Sequence, residues 1–457
     1  MTASTSGRSS LLTALLVALA FALGFAEFVL IGITPDVASG LGEPLTLIGD
    51  IVGYYALACA IATPVVALAT ARADRFKLMA TLLIVFNAGN LLTLLANGYT
   101  LFLISRLLPA AASGTLLAIA LTYVSDIVPK GKTASVVGLL LAGFSISSVI
   151  GVPIGATLAD LFDWKAAYGC VLLLGLVVSA ALLPLLPRTG GAAQATATLR
   201  SQLRLLGDGR VLANIAMILA GAASTYVFYT YLAPMLKDVM GLGSESVSLV
   251  LLLFGAACVG SNLLSGWVAS RFGIRALPLA FAAHGVLLAL LAASIPLGAI
   301  GVANILAIGL LMYVMNSTVQ MLFQDVARTD YPSALTFSAS LHPMAFNAGI
   351  AIGSLAGGVV VNAGGLLATG PAGALFAIAA AALALALSRM TSKQRRQQSA
   401  NKNRGSNAVP HAAATSAVPL PKKTRWGIIG ETTEEVCTCP AKPNKPSSNE
   451  PSKLPTA

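Results

Sequence analysis

The sequence predicts an all-α integral membrane protein: twelve transmembrane helices in two pseudo-symmetric six-helix bundles. Three observations carry that expectation. Of 457 residues, 56% are hydrophobic and only 10% charged, whereas a soluble globular chain carries roughly 25% charged residues. Apolar runs near the length that spans hydrocarbon as a helix recur along the chain. Short motifs also recur at a nearly constant offset of about half the chain.

Twelve runs are read, at approximately 11–33, 46–70, 78–96, 99–125, 133–157, 166–186, 211–236, 246–269, 276–294, 297–323, 332–361 and 366–388. They are apolar all round and lack period-2 alternation, so helices are expected rather than a barrel. The first is too long for the core of a signal peptide and is read as a span.

Basic residues set the expected orientation. With a cytoplasmic N-terminus, the inner loops hold Arg72, Arg75, Lys77, Lys130, Lys132, Arg188, Arg200, Arg204, Arg210, Arg271, Arg275 and Arg328. The outer loops hold only Lys165 and Lys237. Both termini are therefore expected in the cytoplasm of a cell whose inner or plasma membrane carries the protein.

The net charge of +11 sits mostly in the tail. From Arg389 onward there are 12 Lys and Arg against 4 Asp and Glu, which leaves +3 for the membrane body. No nucleic-acid partner follows. The tail is rich in Pro, Ser, Asn and Lys and cannot bury enough apolar surface to offset its ordering entropy. Cys59, Cys170 and Cys258 fall in spans, and Cys437 and Cys439 form a lone CxC, so neither a disulfide framework nor a metal site is implied.

The polar segment 187–210 divides the runs six and six. The chain thus reads as a first bundle (1–186), a cytoplasmic linker (187–210), a second bundle (211–388) and a disordered tail (389–457). A shift of 199 residues lays Pro35 on Pro234, Arg72 on Arg271 and ALATARADR (67–75) on GWVASRFGI (266–274). A shift of 202 lays FSISSVIGVPIG (144–155) on FNAGIAIGSLAG (346–357), matching Gly151 with Gly353 and Gly155 with Gly357. Two equivalent six-helix halves of the same topology are the expected product of a duplicated bundle. Small residues at four-residue spacing also let helix backbones approach closely, and Pro153 favours a local kink.

Glu27 interrupts an otherwise uncharged stretch from Ser9 to Pro35. Arg106 lies inside the fourth run. Charges at membrane depth are expensive and face a cavity or a partner. At 1.5 Å rise per residue, Arg106 is about 10 Å and Glu27 about 9 Å below the same surface. The shared depth makes a Glu27–Arg106 pairing, direct or through water, an expectation. Asp50, near the outer end of the second run, is a second acid that could compete for Arg106 or remain a solvated helix-end carboxylate.

The stretches GFAEFVLIGITPDVA (24–38), SRLLPAAASG (105–114), GVPIGATLADLFDWKAAY (151–168), TYLAPML (230–236) and NAGIAIGSLAGG (347–358) resemble the major facilitator superfamily. Within it they are similar to the drug:H⁺ antiporter-1 family and its sugar, purine-nucleoside and chloramphenicol efflux subgroup. The resemblance covers residues 11 to 388. It implies that spans 1, 4, 7 and 10 line a central cavity. One departure is clear: the family's G-x-L-a-D-R-x-G-R loop reads ALATARADR here, with Ala67, Ala71 and Asp74 in place of Gly, Asp and Gly. The second copy keeps Gly266, Arg271 and Gly273. Arg72 and Arg75 also serve as topology determinants.

The acids of the second half, Asp238, Glu245, Asp325 and Asp330, lie in or beside loops. Proton chemistry at membrane depth is therefore expected from the first half, chiefly Glu27. The repeat places Tyr226 opposite Glu27, and with Tyr229, Asn304, Asn316 and Gln320 it forms the expected cavity wall: aromatic surface with a few polar hooks. Gly131-Lys132-Thr133 lacks the first glycine of a phosphate loop, Asp126 standing there, so nucleotide-driven pumping is unsupported. No HExxH or GxSxG motif supports an enzyme.

The expectation is a monomeric proton-coupled exporter of a small amphipathic compound, a drug such as chloramphenicol, a sugar or a nucleoside. It needs no cofactor beyond the proton gradient. The alternatives are a proton-coupled nutrient symporter and a transporter-like sensor signalling through its tail.

Overall fold

The structure is a computed structural model that describes residues 2–70, 73–128, 132–188 and 204–407. Arg72, most of the 187–210 linker, and Cys437 and Cys439 lie outside the described residues. The main helices are α1 (Thr2–Leu41), α2 (Leu45–Ala69), α3 (Arg75–Leu94), α4 (Tyr99–Ile127), α5 (Thr133–Leu161), α6 (Trp164–Leu182), α7 (Gly209–Tyr229), α8 (Ser244–Arg271), α9 (Leu277–Ala289), α10 (Ala299–Leu311), α11 (Asn316–Asp330), α12 (Leu335–Gly364) and α13 (Thr369–Asn407). Among the described residues eleven helical stretches are long and apolar enough to cross a membrane. A twelfth is counted if Gly273–Ala289 and Leu291–Leu297, bent by 43° at their junction, form one span. Together α10 and α11 make one span of the eleven.

Caps set several helix starts. Asp74 accepts from the Lys77 amide at 2.9 Å and so opens α3. Its carboxylate is spent on its own helix. Asp163 accepts from the Lys165 and Ala166 amides at the start of α6, and Asp208 from the Arg210 amide at the start of α7. Each supplies an acceptor to amides that the helix itself leaves orphaned.

The last helix runs on to Asn407, where the sequence reading places disorder from 389. Residues 389–404 contain Lys, Gln, Arg and Ala without glycine or proline, good helix formers that extend a turn already nucleated by the span.

Two long seams organise the packing. Helix α1 lies along α5, and α7 along α12. A Cβ at Gly151 would sit 2.6 Å from the Phe25 ring, and one at Gly353 would sit 2.7 Å from the Ala223 carbonyl oxygen. Gly143 and Gly32 likewise bring α5 and α1 within backbone contact, against Val17 and Val152, while Gly155 admits Val29. Gly349 and Gly357 do the same for α12 against Leu219 and Val227. Gly266 meets nothing within 4 Å, so it belongs to no such seam. Pro153 lies within α5, and Thr157 returns a hydroxyl to its carbonyl at 2.9 Å. Arg271 is the last residue of α8.

The first six helices meet the rest through α2 on α12, α5 on α8 and α1 on the turn Leu232–Pro234. Polar links join them at the end carrying Asp36. They are Asp36–Lys237 at 3.2 Å, Thr46–Asn362 at 3.0 Å, Thr157–Ser248 at 3.2 Å and Ser244–Asp160 at 2.5 Å. The opposite end carries the Asp208–Arg210–Asp330 network, inside the second half.

Candidate functional site

Between Ala22 and Thr34 every residue of α1 is buried except Glu27, which is partly exposed. The helix is enclosed on all sides there, so the carboxylate faces an internal space. Among the described residues it makes no hydrogen bond and no ion pair within 4 Å. Its charge reaches Tyr55 and Cys59 on α2, Tyr226 on α7 and Tyr313 in the break between α10 and α11. Groups of both halves thus lie within its electrostatic range.

Arg106 is 1% exposed. One guanidinium nitrogen donates to Asn90 Oδ1 at 3.0 Å and Thr93 Oγ1 at 3.3 Å, and the other to the Ala26 carbonyl at 2.8 Å. Tyr168 and Tyr55 cover its faces at 4.7 and 5.3 Å. The expected direct ion pair with Glu27 is not formed, because neutral acceptors already occupy the guanidinium. Arg106 instead holds the peptide carbonyl of Ala26, the residue before Glu27. The anchor residues Asn90 and Thr93 went unread, although FNAGNLLT shows a polar i, i+3, i+6 stripe in an apolar run.

Asp50 does not compete for Arg106. It lies on the opposite side of α2, against Tyr231 and Gly358 of the second half. Arg75 stacks over Tyr123 at 4.0 Å and reaches Thr122 at 3.5 Å, which ties the start of α3 to α4.

Tyr226 and Tyr229 are buried in an aromatic cluster. Tyr229 stacks on Phe254 at 5.0 Å, Tyr226 meets Tyr229 at 5.5 Å and Phe346 at 6.2 Å, and Tyr313 meets Phe346 at 5.8 Å. His342 extends the same wall against Phe346. Tyr55, Tyr313, Phe346 and His342 were not singled out as wall residues by sequence. Nothing in LLMYVMNS marks Tyr313 as different from its apolar neighbours.

The three amides are placed otherwise than expected. Asn304 donates to the Leu287 carbonyl at 3.0 Å and Ser294 Oγ at 2.9 Å, and so supports the bend that interrupts the ninth span. Gln320 reaches the Ala339 carbonyl at 3.4 Å, the acceptor that Pro343, four residues on and without an N–H, leaves free. Asn316 donates to Asn262 at 3.2 Å. It belongs to a ladder in which Ser261 and Ser265 of α8 accept the amides of Tyr313 and Ser317, each at 2.8 Å. These side chains satisfy irregular backbone at membrane depth, which lipid cannot do. They are supports of the site rather than its lining.

The profile of the Major Facilitator Superfamily matches residues 16–342. The chain belongs to that superfamily. It is similar to an uncharacterized MFS-type transporter, YtbD, of Bacillus subtilis (32% identity over 87% of this chain and all of the relative). It is also similar to a chloramphenicol resistance protein of Streptomyces lividans (30% identity over 55% of this chain and 64% of the relative). Among solved structures it resembles a bacterial homologue of the human lysosomal transporter Spinster in an inward-facing, occupied conformation. That likeness has a TM-score of 0.70 at 16% identity and covers 83% of this chain and 97% of that one. As a member of the Major Facilitator Superfamily the chain is a multi-pass membrane transporter of a small-molecule substrate.

Proposed function

We propose that this transporter exports a small amphipathic compound in exchange for protons, with Glu27 as the proton-binding group. The observation that carries the reading is the setting of Glu27: the one partly exposed residue in an enclosed stretch of α1, unbonded, between aromatic side chains of both halves. Arg106 keeps its hydrogen bonds whether Glu27 is charged or neutral, because none of them involves the carboxylate. The acid is therefore free to exchange a proton without dismantling its surroundings. Coupling requires that proton and substrate stabilise different states of the cavity.

The likeness to a chloramphenicol resistance protein supports export and the reading of the chain as a member of the drug:H⁺ antiporter-1 branch. With both termini cytoplasmic in the inner membrane, the linked Asp36 end faces outward. The reading has the protein acting as a monomer.

Transport into inside-out vesicles under an imposed pH gradient tests this. Glu27→Gln is expected to abolish proton-driven accumulation while leaving substrate binding measurable. Full proton-driven export by the variant overturns the assignment, and substrate movement in the direction of the proton replaces antiport with symport.

A further inference from the structure

We propose that Asp50 is a second proton-binding site, located in the seam between the halves, where uptake of a proton holds the Asp36 end closed. The geometry is a three-sided pinch. A Cβ at Gly49 of α2 would stand 2.6 Å from the Tyr231 hydroxyl. One at Gly358 of α12 would stand 3.2 Å from that same hydroxyl and would collide with Asp50 Oδ1. Carboxyl and phenol therefore border one small space, made possible by two glycines on opposite halves. Both atoms are buried, and neither has a hydrogen-bond partner. Asp50 as a whole remains partly exposed, so protons reach it.

No cation faces this acid among the described residues. The titratable groups that feel its charge are Tyr231 from the turn after α7 and Tyr99 of α4, and Tyr54 and Glu43 act on that same Tyr99. From α12 it meets Gly358. Lys237, at the same end, is engaged by Asp36. An ionised oxygen sealed here has no countercharge among the described residues, a costly arrangement. The neutral acid offers a donor to the Tyr231 hydroxyl at no such cost. When the α2–α12 seam parts, Asp50 and Tyr231 separate and water solvates the carboxylate. Closure therefore takes up a proton, and acidification favours it. This site acts on the gate between the halves and does not depend on Glu27 carrying protons.

Distance measurements across the Asp36 end test the proposal. Labels are attached through a non-canonical residue at Ser39 and Ser246, which are both exposed, in the full-length protein in lipid nanodiscs. The closed-to-open ratio of the wild type is expected to rise as pH falls, by up to about tenfold per pH unit for one proton. Asp50→Asn is expected to reduce that slope and hold the end closed, while Asp50→Glu keeps it. Tyr231→Phe lowers the closed population at acid pH, because the neutral acid loses its acceptor. A wild-type slope in Asp50→Asn overturns the proposal. So does an unchanged profile in Tyr231→Phe, which serves should Asp50→Asn fail to fold. Loss of the slope in Glu27→Gln alone assigns the gate proton to Glu27 instead. The readout is conformational, so its failure is distinct from a failure of the vesicle transport test.

Discussion

The α1–α5 and α7–α12 seams are copies of one packing solution put to different uses. In both, glycines at four-residue spacing admit the facing helix. The first seam carries Glu27 and lies beside Arg106, and its helices are continuous. The second carries no charge at that depth and faces Tyr226, Tyr229 and Phe346. Breaks cluster in the second half, at Leu290 and between Leu311 and Asn316. A desolvated charge needs partners fixed on unbroken helices, whereas broken helices need neutral donors and acceptors that can follow them. The duplicated fold has separated these two demands.

The largest effect that would break this contrast is expected at Arg106. Arg106→Ala removes a cation held by three acceptors and two ring faces. Transport should be abolished, and thermal unfolding in detergent should report a loss on the order of 3–5 kcal/mol. Arg106→Lys should not rescue it, because a point-like ammonium cannot span acceptors on α1 and α3. Tyr226→Phe, at the uncharged counterpart of Glu27, should stay within about 1 kcal/mol of wild type.

The seams themselves should respond unequally. A Cβ at Gly353 meets the Ala223 backbone, while one at Gly151 meets the Phe25 ring. Backbone cannot yield as a ring can. Gly353→Ala should therefore destabilise by about 1–3 kcal/mol and Gly151→Ala by clearly less, in the same unfolding assay. Equal losses would show that Phe25 is as immovable as main chain.

Losses of similar size are expected in the serine ladder. Ser261→Ala or Ser265→Ala strands an amide of the broken span, at about 1–3 kcal/mol each. Ser147, which bonds the Phe144 carbonyl of its own helix at 2.6 Å, should tolerate alanine with about 1 kcal/mol or less.

The smallest effect lies at the Arg210 network. The Asp208 carboxyl is held below its ordinary range, chiefly by the Arg210 side chain. A depressed acid contributes stability that is present above its unfolded pKa and lost as pH falls through the folded one. The unfolding temperature should thus decline on acidification, and Arg210→Ala should flatten that decline. An unaltered profile would remove this pair from the stability of α7.

What the sequence makes legible follows from what a residue type can mean without neighbours. The apolar runs and the glycine repeat are visible because length and spacing alone set membrane helices and close seams. Glu27 is visible because few purposes justify an acid there. Asn304, Asn316 and Gln320 announce a polar need but not whose. That need is backbone, because the ninth and tenth spans break without a proline or glycine at the break to reveal it. The position of Asp50 is likewise set by α12, a helix three hundred residues away in the chain that no local pattern brings into view.

Helix pairs whose backbones touch at successive turns cannot shear by fractions of a residue. From Val17 to Val152, α1 and α5 behave as one beam, as do α7 and α12 from Leu219 to Val227. A tilt at the Asp36 end is therefore delivered undiminished to the far end of each beam. The four links that join the halves there work as the short arm of a lever, with the end of the Asp208–Arg210–Asp330 network on the long one.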